Sequence, residues 1–160
     1  QDLALNINGD IYVTNAHYLV WPPNPLFFST IVKVEPLTGN QTLVYSSPID
    51  NMFGAFAFDL DEKHLFVVDN LGPNPDQAQS SNVLRINKET GEATAVWNDD
   101  HQVSDIDVFP NGDLLILDHL LADQSQAHPR LLRVDRRTGT TSSILDGGPS
   151  LANSIVICGP

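Results

Sequence analysis

One cadence recurs three times along the chain, as "IVKVEPLTGNQTLVY", "NVLRINKETGEATAVW" and "LLRVDRRTGTTSSIL". In each, a basic residue (Lys33, Arg85, Arg133) stands between two aliphatic residues. A polar or acidic residue follows (Glu35, Asn87, Asp135), and then a Thr-Gly pair: Thr38-Gly39, Thr90-Gly91, Thr138-Gly139. The spacing is about 50 residues, a period that points to a repeat architecture.

Upstream of each Thr-Gly lies a pair of short apolar runs joined by a turn. These are "LALNINGDIYVTN", "AFAFDLDEKHLFVVDN" and "DIDVFPNGDLLILDH", turning at Asn8-Gly9-Asp10, Asp61-Glu62-Lys63 and Pro110-Asn111-Gly112-Asp113. Asn-Gly and Asp-rich turns between β-branched and aromatic runs are hairpin signals. The glycine of each Thr-Gly supplies a second turn, since positive φ carries no steric penalty there. Each copy therefore reads as four strands, A to D. They fall near 3–7, 10–15, 30–35 and 41–45; near 55–59, 64–69, 82–87 and 93–97; and near 104–109, 113–118, 130–135 and 140–145. Helical periodicity is absent. Four antiparallel strands per repeat define a β-propeller blade. The expected fold class is all-β: three four-stranded antiparallel blades over 1–48, 49–100 and 101–149, with 150–160 as the first strand of a further blade. Period-two alternation in "LLRVD" and "VLRIN" places the aliphatic residues against a neighbouring blade and the arginine toward solvent or the sheet's other face.

Propellers close with about four to eight blades, and three blades leave sheet faces and edges bare. Either the chain is part of a longer propeller or a homodimer completes a six-bladed ring, with the extra strand available for exchange between chains. The chain begins at Gln1 rather than methionine, as expected of a processed, trimmed or excised sequence.

Twenty acidic residues against eight basic ones leave a formal net charge of -12. That balance repels phosphate backbones and argues against nucleic-acid binding. A single cysteine, Cys158, excludes an internal disulfide framework and a CxxC metal site. No apolar run reaches the roughly 18 residues of a membrane span. Asn40-Gln41-Thr42 fits the N-glycosylation rule, and a secreted or periplasmic location is favoured over a cytoplasmic one.

"DIDVFPNGDLLILD" followed by "LLRVDRRTGTTSSIL" resembles the blades of the NHL and SMP-30/gluconolactonase/strictosidine-synthase-like group of six-bladed propellers. The resemblance covers the whole chain at the level of blade pattern. It implies a divalent-cation site at one channel mouth, with oxygen ligands suited to Ca²⁺ or Mg²⁺, and a metal-dependent hydrolase of the lactonase type. Asn153 matches the family's Asn position. Asp105 lies one residue out of register from the Asp position, with Ser104 in register. Gly54 occupies the corresponding place in the second copy, Asn51 stands three residues early, and no Glu-Gly-Pro occurs. The implied metal pair is thus Asp105 and Asn153, an incomplete set on one chain.

Long loops between strands B and C, "NAHYLVWPPNPLFFST", "NLGPNPDQAQSS" and "HLLADQSQAHPR", are where a rigid scaffold displays function. The residues expected to bind ligand at this rim are Asn15, Asp69, Asn70, His101, Asp118 and His119, with Asp50, Asn51, Asp99 and Asp100 nearby. The competing expectation is that Asp and Asn at strand ends bond their own backbone. The histidines lack HExxH spacing, and no catalytic residue is identifiable. In "LVWPPNPLFF", Trp21, Leu26, Phe27 and Phe28 fall in a proline-rich loop too irregular for a strand and are expected at an interface. The favoured function is a scaffold that binds a small molecule or protein; the alternative is the metal-dependent hydrolase.

Overall fold

A computed structural model describes residues 2–19, 26–48, 51–71, 80–100, 102–119, 129–146 and 155. Among these residues every regular element is a strand. The first sheet contains β1 (Leu3–Leu5), β2 (Ile11–Leu19), β3 (Leu26–Val34) and β4 (Gln41–Ser46). The second contains β5 (Asn51–Phe58), β6 (His64–Leu71), β7 (Ser80–Asn87) and β8 (Ala93–Asp99). The third contains β9 (Gln102–Val108), β10 (Leu114–His119), β11 (Pro129–Val134) and β12 (Thr141–Asp146). Each is a four-stranded antiparallel meander in chain order. These are propeller blades, as the repeat predicts.

The cadence has a local cause. Gly39, Gly91 and Gly139 adopt φ of 73°, 72° and 71°, and their N–H groups donate to the carbonyls of Glu35, Asn87 and Asp135. Asn87 Oδ1 accepts the N–H groups of Glu89 and Thr90, and Asp135 Oδ1 those of Arg137 and Thr138. The side chain at this position thus satisfies the turn's own donors, which is why a polar residue recurs there. Each pairing of third and fourth strand also carries an irregularity at one equivalent place: Ile31/Val32, Val83/Leu84 and Leu131/Leu132.

The recurring basic residue does not point freely into solvent. Lys33 reaches Asp10 at 2.8 Å, Arg85 reaches Asp59 at 2.8 Å and Arg133 reaches Asp113 at 2.6 Å. In every blade the cation of the third strand ties down the turn between the first two strands.

Apolar residues fill the space between blades. Tyr12 and Ile31 of the first blade pack with Phe53, Phe56, Leu65 and Val67 of the second. Phe66, Val68, Val83 and Trp97 of the second pack with Val103, Ile106, Leu114 and Ile116 of the third. The Trp97 indole N–H donates to Thr141 Oγ1 at 3.0 Å across that seam. Hydroxyls add a repeated link: Ser29 Oγ accepts the N–H of Phe53, and Ser81 Oγ that of Val103, each at 3.0 Å.

One expectation needs correction. Leu26, Phe27 and Phe28 are not in an irregular loop but on β3, facing Leu19, Tyr18 and His17 in the ladder. The prolines that signal a loop, Pro22, Pro23 and Pro25, all precede Leu26, so the strand begins as soon as backbone donors are available again. Phe28 stacks on His17 with ring centroids 4.5 Å apart, and a His17 ring nitrogen lies 2.9 Å from Thr30 Oγ1. Trp21, His101, Asn153 and most of the segment expected as an extra strand lie outside the described residues.

Candidate functional site

The two ends of the blades differ in chemistry. At the tight-turn end Asp59, Asp61 and His64 offer donor atoms within 4.8 Å of one another, a spacing a metal ion can use. Two guanidinium groups already occupy that cluster. Arg85 donates to Asp59 and Asp61, and Arg136 of the third blade donates to both oxygens of Asp59 at 2.7 and 2.8 Å. Asp59 is fully buried, so these cations supply its counter-charge and lock the second blade to the third. Neighbouring ion pairs behave alike. The Lys33 hydrogen bond holds Asp10 below the usual carboxylate range, and those from Asn111 and Arg133 do the same for Asp113. This end is a structural clamp.

The loop end is where the expected binding residues fall. Asn15, Asp69 and Asp118 take equivalent positions on the second strand of each blade, opposite Thr30, Asn82 and Arg130. Their surroundings diverge. Asp118 is fully buried and bound by Arg130 Nε at 3.0 Å and again by Nη2, which also lies 3.4 Å from Asp99. Asp69, only 3% exposed, accepts one hydrogen bond, from Asn51 Nδ2 to Oδ2 at 2.9 Å. Among the described residues its Oδ1 is buried without a partner. Burial, partly offset by the Asn51 bond, pushes its pKa up to about 6. Asn15 is half-buried. Asn70 is buried and accepts the Ser81 hydroxyl at 2.6 Å, so it supports the seam between blades. His119 ends β10 opposite Pro129. Local turn bonding accounts for Asn6, Asp61 and Asn111, whereas Asp69 and Asp118 make contacts with other strands instead.

Asp105 is partly buried and holds backbone rather than forming an oxygen cage. Oδ1 accepts the Ile106 N–H at 2.9 Å, and Oδ2 accepts the Ile155 N–H at 2.6 Å. Burial raises its pKa. Asp2, at the corresponding place in the first blade, accepts the Phe56 N–H at 3.2 Å, so both carboxylates tether their own blade to a later segment. Ser104 donates to the Leu117 carbonyl. A Cβ on Gly54 would meet Asn70 Nδ2 at 3.2 Å and Val68 Cγ1 at 3.3 Å, so a larger side chain there would crowd both neighbours. The described residues at this end do not assemble the oxygen set implied for a divalent ion.

Arg130, Asn82 and Asp2 carry much of this geometry and escape sequence reasoning. Lining up the three blades places Thr30, Asn82 and Arg130 in one column, a signal that becomes meaningful once the facing carboxylates are known.

No protein-family model and no curated protein matches the chain. Solved structures do. An oligogalacturonate lyase in complex with manganese matches with a TM-score of 0.52 and 14% identity, over 91% of this chain and 46% of that one. The periplasmic gluconolactonase PpgL of Pseudomonas aeruginosa matches with a TM-score of 0.50 and 13% identity, over 92% of this chain and 39% of that one. The chain spans less than half the length of either protein. At these identities the likeness is one of fold, to propeller-like proteins.

Proposed function

We propose that this chain is a propeller binding module. Its ligand site lies at the loop end, and a second copy completes the ring. The observation that carries the reading is the buried carboxylate of Asp69 at the loop end, which accepts a hydrogen bond at Oδ2 and, among the described residues, none at Oδ1. Buried polar groups without full partners mark places where a scaffold does something other than fold.

The outer faces are apolar enough to take a further blade. Leu3, Val13, Val32 and Leu43 form one apolar row across the first blade, and Leu3 and Leu43 are each 60% exposed. The next row begins with Leu5, 61% exposed, beside Ile11 and Val34. On the third blade Leu145 takes the place of Tyr45 and Trp97, residues that are covered by the following blade, and is 50% exposed. An apolar blade face of this kind is buried at both internal seams, and further blades, of a second copy or of a longer chain, supply the same cover. Light scattering should give a mass of two chains, and Leu43→Glu should reduce it to one. A compact wild-type monomer sinks the dimer.

A divalent-metal-dependent hydrolase is the second reading, favoured by the lactonase and the manganese-bound lyase among similar folds. It requires EDTA to lower the thermal midpoint and Ca²⁺ or Mn²⁺ to restore it; no response to either removes it. A periplasmic or secreted location accords with the exposed Asn40 and Thr42 of the glycosylation triplet and with the periplasmic gluconolactonase. No helix among the described residues is long and apolar enough to cross a membrane.

A further inference from the structure

The two internal seams solve the same electrostatic problem differently. Between the second and third blades, Asp118 faces Arg130, which bridges to Asp99. In the corresponding positions between the first and second blades stand Asp69, Asn82 and Ser47. The carboxylate is kept and the guanidinium is missing. Ser47 is no substitute, because its hydroxyl accepts the Ser29 N–H and lies within bonding distance of the Pro48 and Asn51 carbonyls. Asn51 holds one oxygen of Asp69 from the β5 side, and the oxygen left over is buried and unpartnered among the described residues.

Beside this position runs a groove of about 480 Å³ lined by Leu71, Ser80, Asn82, Asn98, Asp99 and Asp100. Asn82 pairs with Asp69 on one side of β7 and with Asn98 on the other, so it forms groove wall and neighbour of the buried carboxylate at once. We propose that this groove binds the guanidinium or primary ammonium group of a ligand, with Asp69 as its buried counter-ion and Asn82 turning aside to admit it. Arg130 shows the chemistry within the same molecule: its Nε and Nη2 both donate to one oxygen, Oδ2, of the carboxylate at the equivalent strand position. The exposed Asp100 adds negative potential along the groove.

The inference rests on the loop end being the binding end, but its test is independent of ring assembly, which the solution mass reads separately. Methylguanidinium, butylammonium and the capped tripeptide acetyl-Gly-Arg-Gly-amide are titrated into the full chain at neutral pH by NMR or calorimetry. Saturable binding is expected, weakened about tenfold or more by Asp69→Asn. Asn82→Arg, which installs the third blade's arrangement, should abolish binding and raise the thermal midpoint. Binding of methylguanidinium without the tripeptide identifies a free small cation as the ligand; tighter binding of the tripeptide identifies an arginine side chain of a peptide. Absence of saturation with all three probes overturns the proposal, as does undiminished binding to folded Asp69→Asn or to folded Asn82→Arg.

Discussion

Asp69→Asn gives the sharpest test of the electrostatics. The wild-type carboxyl has its pKa raised from 3.8 to about 6 by burial. An acid whose pKa is higher folded than unfolded binds its proton more tightly in the native state. Its contribution to stability is therefore complete below about pH 3.8, declines as pH rises toward about 6, and is gone above that. At about 1.4 kcal/mol per pKa unit, the loss amounts to at most about 3 kcal/mol. Asparagine keeps the acceptor for Asn51 and cannot ionise. Urea denaturation of both proteins from about pH 4 to pH 8, in buffer free of amines, yields the difference in stability at each pH. Asp10, Asp113 and Asp135 are shifted downward and lose their contribution as pH falls, but that trend is common to both proteins and cancels. The wild type should lose up to about 3 kcal/mol relative to the variant between pH 4 and 7, then run parallel to it. Curves parallel throughout would refute the claim that Asp69 is desolvated without a counter-charge.

Two further outcomes probe the frame. Ser81→Ala removes the acceptor for the Val103 N–H and the donor to Asn70, both buried, and should cost roughly 1–3 kcal/mol in chemical denaturation. Gly91→Ala should destabilise more than Gly139→Ala: both glycines have positive φ, for which alanine loses about 1–2 kcal/mol, but only at Gly91 would the new Cβ meet the Val44 carbonyl, at 2.8 Å. Equal melting temperatures for the two variants would mean that the first and second blades do not pack as described.

How much was legible follows from how far each interaction reaches. The strands after Thr-Gly begin within a residue or so of their expected positions, because turn chemistry sets them locally. The long second and third strands of the first blade were legible only in part. Backbone pairing of His17, Tyr18 and Leu19 with Phe28, Phe27 and Leu26 extends the ladder past the expected ends, and pairing leaves no mark beside a proline-rich run. Asp69 and Asp118 looked alike on paper, each an acid closing an apolar strand. Their difference lies in Asn82 and Arg130, in the neighbouring strand, and in what each of those can reach.

The sequence alone determined the repeating unit: glycines where φ must be positive, polar residues that satisfy the turn, and apolar alternation that makes a sheet. Those interactions close within one hairpin, so a window of some fifteen residues contains both partners. Tertiary structure decided which carboxylates received a cation. Arg136 meets Asp59 across 77 positions and Arg130 meets Asp99 across 31, whereas Asp69 meets no cation among the described residues. Such pairs exist because one blade stacks on the next, and the angle and depth of that stacking are properties of packed side chains rather than of any local pattern.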